Sequence, residues 1–161
     1  IHGKKGEEDK HTLSVVHALR KIDTPSILFF LGILLSIAAL QSVGVLAQLS
    51  GWMKTTLQND TVIVLLIGGV SALVDNVPLV AASQGMYSLN QYPVDHFFWE
   101  FLAYCTGTGG SLLIIGSAAG VAAMGIEKIS FFWYLRNISV LALAGYLAGA
   151  MAFIVQHFLF V

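Results

Sequence analysis

The chain has 161 residues, 57% of them hydrophobic and only 11% charged, with a formal charge of −1. A soluble domain carries about a quarter charged residues, so a solvent-covered globule is excluded. The absence of a basic tract excludes binding to a phosphate backbone, and without strand-like alternation the fold class is all-α integral membrane.

Residues 1–24 hold most of the charge, in Lys4, Lys5, Glu7, Glu8, Asp9, Lys10, Arg20 and Lys21. Val15, Val16, Leu19 and Ile22 recur there at helical spacing. That pattern predicts a cytoplasmic linker with an interfacial amphipathic helix, residues 1–10 reading equally well as a frayed linker. Ile1 is not an initiator Met, and we read it as a cut point inside a longer chain.

Asp23-Thr24-Pro25 supplies a helix start. From Ser26 to Ala47 no charge occurs, a run of about 33 Å as helix and enough to cross. Leu49, Trp52, Met53 and Leu57 continue at helical spacing beside Gln48, Lys54 and Gln58 as an interfacial arm, so 26–58 is a transmembrane helix plus arm. The next run, 61–86, is broken at Asp75-Asn76-Val77-Pro78. Its limbs, 61–74 and 78–86, span about 21 Å and about 13 Å, and neither crosses a core of about 30 Å alone. They either stack into one kinked span or fold back as a re-entrant hairpin. Residues 97–124 pose the same choice around Thr106-Gly107-Thr108-Gly109-Gly110-Ser111, and 131–160 reads as an unbroken final span.

Positive charge arbitrates. With 61–86 as a re-entrant hairpin and 97–124 as a discontinuous transmembrane helix, Lys4, Lys5, Lys10, Arg20, Lys21, Lys128 and Arg136 share one side and Lys54 alone takes the other. That bias places the N-terminal segment in the cytoplasm and the C-terminus outside, as in a multi-pass protein of a bacterial inner membrane. Trp52, Trp99 and Trp133 fall at span ends, where interfacial tryptophans belong.

A carboxylate inside an apolar run costs several kcal/mol unless it has a task. Burial favours the protonated carboxyl and a bound cation the ionised one, so a group at Asp75 can trade a proton for a metal ion. Asn76 adds a neutral oxygen, the end of limb 61–74 adds open carbonyls, and Val77-Pro78 completes the break. The plainer alternative makes Asp75 only a helix cap. In the second break Gly107, Gly109 and Gly110 allow tight turns and Thr106, Thr108 and Ser111 offer hydroxyls, a donor set suited to a hard cation. Its plainer alternative is a packing hinge. The expected cation and proton site is therefore Asp75, Asn76 and Thr106 to Ser111, with Asp75, Asn76, Thr108 and Ser111 as sodium ligands. Gly116-x-x-x-Gly120 and Gly145-x-x-x-Gly149 read as internal packing. Glu100 snorkels beside Trp99, His96 and His157 lack partners at metal-ligand spacing, and Cys105 is a buried small apolar residue. No nucleophile–base pair is present, so an enzyme is not expected.

These motifs carry a resemblance. The runs Ile27-Leu-Phe-Phe-Leu-Gly-Ile-Leu-Leu, Ala72-Leu-Val-Asp-Asn-Val-Pro-Leu-Val-Ala-Ala and Gly107-Thr-Gly-Gly-Ser-Leu-Leu-Ile-Ile-Gly-Ser resemble the ion transporter superfamily, and within it the NhaD-type sodium/proton antiporters. The resemblance covers residues 26–160, most of the C-terminal half of such a transporter. It implies two inverted repeats, a homodimer in the lipid bilayer and elevator-like alternating access. The scaffold is 26–47, and the hairpin, the broken helix and the last helix move. It also implies that Asp75 and Asn76 face Thr106 to Ser111 across a cation site completed by an N-terminal half. Sodium or lithium and protons are the transported species, with no cofactor and no nucleic-acid partner. Arsenite, citrate and dicarboxylate carriers share the superfamily. Their second break often carries an Asn where this chain has Ser117-Ala118-Ala119-Gly120. A non-transporting scaffold subunit is the alternative from another class.

Overall fold

In the computed structural model residues 23–160 are described, and the amphipathic helix expected within 1–22 lies outside them. Among the described residues the secondary structure is entirely helical. The chain divides into two compact units, one up to Leu35 and one from Ser36 onward. The helices are α1 (Thr24–Ser42), α2 (Val45–Leu57), α3 (Asp60–Val70), α4 (Asn76–Met86), α5 (Phe97–Gly109), a 3₁₀ turn at Ile114–Gly116, α6 (Ala118–Ile126), α7 (Phe131–Asn137) and α8 (Ser139–Phe160).

Local chemistry sets the boundaries. Asn59 caps α3 by accepting the Thr61 and Val62 N–H groups, and Asp60 in the first turn complements the helix dipole. His96 Nδ1 accepts the Phe98 N–H at the start of α5. Ser117 and Ser130 cap α6 and α7 through Gly120 and Trp133. Two boundaries differ from those expected. The first long run turns at Gly44, whose φ of 77° is left-handed and suits glycine, rather than beyond Ala47. The run 131–160 divides at Ile138, where the backbone leaves regular helical geometry.

In the larger unit the core is a three-helix stack. Ile63, Val64 and Ile67 of α3 pack against Phe98, Phe101, Leu102 and Cys105 of α5, and Tyr146 and Ala150 of α8 close the other side. Hydroxyls lock the stack: Tyr146 donates to the Leu65 carbonyl at 2.7 Å and Tyr104 to the Tyr146 carbonyl at 3.0 Å. Gly149 makes room for Tyr104, since a Cβ there would overlap its hydroxyl. Gly116 and Gly120 likewise serve internal packing, against Ala72 and Ile114, whereas Gly145 faces open space.

The outward faces are apolar. On α8, Val140, Leu141, Met151, Phe158, Leu159 and Phe160 are all exposed. Contiguous apolar surface of this kind needs lipid or another protein to cover it. Among the described residues α8 alone is, by length and composition, long and apolar enough to cross a membrane, and α1 with α2 passes as a bent pair.

At the far end from the breaks, Tyr92 donates to Asp60 at 2.6 Å, its ring stacks on Phe98, and Lys54 lies 5.3 Å from its centroid. Trp99 donates to the Tyr92 carbonyl at 3.0 Å. Burial and then the nearby Asp60 carboxylate push the Tyr87 hydroxyl up to about 12 from an ordinary 10. Burial and the bond to Asp60 raise Tyr92 as well. A raised folded-state value means that the fold binds these protons more tightly than the unfolded chain does. Stability is then full below pH 10 and falls as pH climbs from 10 toward 12. We expect the melting temperature to decline over that window. Asp60→Asn should shrink the decline; an identical decline in the variant would remove Asp60 from its cause.

Candidate functional site

The two interruptions pack directly on each other. The first, Ser71 to Asp75, follows α3, whose last carbonyls at Ile67, Gly68, Gly69 and Val70 are closed by the N–H groups of residues 71–74. The second begins at Gly110 and runs through the 3₁₀ turn to Ser117. A Cβ on Gly116 would lie 2.7 Å from the Ala72 carbonyl oxygen and 2.5 Å from that of Gly110, so only glycine lets the breaks approach this closely. Ser71, with no solvent exposure, donates its hydroxyl to the Thr106 carbonyl at 2.8 Å.

The expected site residues divide into those that meet and those that do not. Asn76, the first residue of α4, shares an open cleft of about 390 Å³ with Thr106 and Gly107, lined also by Val77, Val80, Ala81, Gln84 and Ala103. Asp75 precedes Asn76 in the chain but does not itself line the cleft; it is half-buried, its carboxylate accepting the Asn76 N–H at 2.9 Å. Among the described residues no basic side chain pairs with it. Val77 and Pro78 belong to the first turn of α4, where the missing proline N–H costs nothing, and not to the break itself.

Thr106 to Gly109 are still helical, so the second break lies further along than expected. The threonines explain this: Thr106 and Thr108 return their hydroxyls to the carbonyls of Leu102 and Tyr104, both at 2.7 Å. Their oxygens keep lone pairs while the helix stays intact. Thr108, Gly109, Gly110 and Ser111 do not line the cleft. Ser111 is exposed, donates to the Thr108 carbonyl at 2.6 Å, and accepts the Tyr134 hydroxyl at its own carbonyl at 2.8 Å.

A carbonyl adds to the donor set. The Ser111 N–H bonds Thr108, so among the described residues the Gly107 carbonyl takes no N–H and remains free at the C-terminal, electronegative end of α5. The residues that share the cleft carry an amide, a hydroxyl and a free carbonyl, hard oxygen donors of the kind that hold alkali and alkaline-earth cations, and the Asp75 carboxylate lies one residue before Asn76. A hollow of about 570 Å³ shares Val80, Gln84 and Ala103 with the cleft and reaches Tyr87 and Trp99, giving it an open approach along α4 and α5. Sequence reasoning missed Ser71. Its signal was a hydroxyl near the end of the apolar limb 61–74.

Comparison with known proteins gives this arrangement a family. The profile of the CitMHS family, described as "Citrate transporter", matches residues 10–100, more than half of the chain. Sodium/proton antiporter 1 of Arabidopsis thaliana is 51% identical over 152 residues, which are 94% of this chain and 26% of that protein. Sodium/proton antiporter 2 of the same plant is 47% identical, over 94% of this chain and 36% of its own length. The Na(+)/H(+) antiporter NhaD of Alkalimonas amylolytica is 35% identical, over 84% and 27%. The chain thus spans between 26% and 36% of these relatives. No solved structure matches it. The chain belongs to the CitMHS family, described as "Citrate transporter", with NhaD-type antiporters of the ion transporter superfamily among its relatives.

Proposed function

We propose that this chain belongs to the C-terminal half of a secondary active transporter that exchanges sodium or lithium ions for protons. The observation that carries the reading is the meeting of Asn76 with Thr106 and Gly107 in one cleft, with Asp75, a carboxylate that pairs with no basic side chain among the described residues, directly before Asn76 in the chain. A proton and a cation compete for the Asp75 carboxylate, so binding one releases the other. Asn76, Thr106 and the free Gly107 carbonyl orient the cation, and Thr108 and Ser111 line its exit on the far side of the break. An N-terminal half supplies the opposing repeat, and two such proteins form a dimer in the bilayer. Residues 61–86 act as a re-entrant hairpin and 97–124 as a broken span. With α8 they move as a body against a scaffold that includes α1, in an elevator-like cycle. The N-terminal segment lies on the lysine- and arginine-rich side. The names of the relatives support cation exchange.

Carriage of citrate or another carboxylate anion is the second reading. It is favoured by the family description and by the N-terminus of α4 at the cleft, an end that attracts negative charge.

The test uses the full-length protein in proteoliposomes with an imposed pH gradient. Sodium or lithium should collapse the gradient while citrate does not, and sodium should raise the melting temperature of the detergent-solubilised protein. By mass action the stabilisation is about 2.7 kcal/mol at a hundred times the dissociation constant. A protein inert to sodium in both assays is a scaffold, and one that responds only to citrate is an anion carrier; either result ends the exchange reading.

A further inference from the structure

The cleft and the hollow beside it meet across three residues, Val80 and Gln84 of α4 and Ala103 of α5. Of these only Gln84 carries a polar side chain. Asn76, Val80 and Gln84 stand at i, i+4 and i+8, and all three line the cleft. Gln84 is therefore about 12 Å along the helix from Asn76. The hollow's other polar groups are committed or out of reach. The Trp99 indole N–H donates to the Tyr92 carbonyl at 3.0 Å, and the Tyr87 hydroxyl is buried. Ser88 lines the hollow but not the cleft. The Gln84 amide is exposed and makes no hydrogen bond among the described residues, so its carbonyl oxygen is available.

A cation that leaves the hollow for Asn76, Thr106 and Gly107 thus passes a junction whose side chains offer one oxygen. Shedding water against Val80 and Ala103 alone is costly, because an ion in apolar surroundings loses its solvation with nothing in return. A neutral amide oxygen replaces part of that shell. Lacking charge, it also holds the ion weakly enough to let it go. We propose that Gln84 is a second, outer cation station, where a partly hydrated alkali ion pauses between the hollow and the inner donors. This rests on the cation-exchange reading and adds to it a group that sets the speed of loading, not its equilibrium.

In the full-length protein in proteoliposomes, Gln84→Leu should slow exchange at sub-saturating sodium about tenfold, the effect of losing one polar contact to a charged group. Sodium binding at equilibrium is read as the midpoint of the sodium-dependent rise in melting temperature in detergent. In Gln84→Leu it should stay within about twofold of wild type, because the inner donors are untouched. Gln84→Glu keeps the shape and adds a charge. It should tighten equilibrium sodium binding and lower the maximal rate, since an ion held firmly at the station leaves it slowly. Either variant decides the matter if the other does not fold. An unchanged rate in Gln84→Leu overturns the outer station, as does a Gln84→Glu variant silent in both readouts. A loss of equilibrium binding in Gln84→Leu as large as its loss of rate also overturns it, and makes Gln84 part of the inner site. A wild type inert to sodium and lithium removes the exchange reading itself, and the station with it.

Discussion

Asp75→Asn in the full-length protein should abolish sodium- and lithium-driven proton movement while leaving the protein folded. In the structure Asp75 caps α4 through the Asn76 N–H; in the exchange mechanism it also supplies the carboxylate that the cation and the proton share. Asparagine caps a helix as well as aspartate does, so the substitution removes the charge and keeps the cap. Attraction between unit charges 4 Å apart at an effective dielectric of 20 is about 4 kcal/mol, roughly a thousandfold in cation affinity. The variant also lacks the group that would carry the proton back. Asp75→Ala should lose the same transport and in addition about 1 kcal/mol of stability from the missing cap. Melting curves with and without sodium, beside gradient-collapse assays, separate these effects. If Asp75 only caps the helix, Asp75→Asn will be silent in both, and the exchange mechanism loses its central group.

The sequence made the existence of both breaks plain, because an acid, a proline and a glycine cluster interrupt runs that are otherwise apolar. Their limits were less legible, for physical reasons. Thr106 and Thr108 look like loop formers on composition, yet a hydroxyl that returns to the carbonyl four residues back lets threonine stay helical in an apolar setting. Val77 and Pro78 read as the break itself, whereas the Asp75 cap starts α4 at Asn76 and draws them into its first turn. The partner of Ser71 lies 35 residues away, and no local pattern announces a contact at that separation. Gly44 and Ile138 show the same limit from two sides. A left-handed glycine is invisible in an uncharged run, and the polar step Arg136-Asn137-Ile138-Ser139 is too brief to stand out as a boundary in a run that is otherwise apolar on both sides. The cleft residue Asn76 was legible from its neighbours in sequence. Its meeting with Thr106 and Gly107 depends on how closely α3 and α5 approach.

That approach is set by two glycines, and it yields the second large effect. A Cβ on Gly109 would overlap the Gly68 carbonyl oxygen, and one on Gly68 would overlap the Tyr146 hydroxyl and stand 2.5 Å from the Cys105 Cβ. Those neighbours are backbone or fully packed side chains, so relief requires α3 and α5 to part. Parting them stretches the Ser71–Thr106 bond and opens the contact of Ala72 with Gly116, so the site is disturbed along with the core. Gly109→Ala should therefore destabilise by about 1–3 kcal/mol and more where the backbone cannot give. At about 2–4 °C per kcal/mol for a domain of this size, the melting temperature should drop by several degrees, with sodium exchange reduced. Gly69 provides the control from the same helix. A Cβ there meets nothing within 4 Å, and alanine is the better helix former by about 0.5–1 kcal/mol. Gly69→Ala should leave transport intact and hold or raise the melting temperature. Equal losses in the two variants would mean that the glycines act through backbone flexibility, and that the close packing of α3 on α5 does not hold the two breaks together.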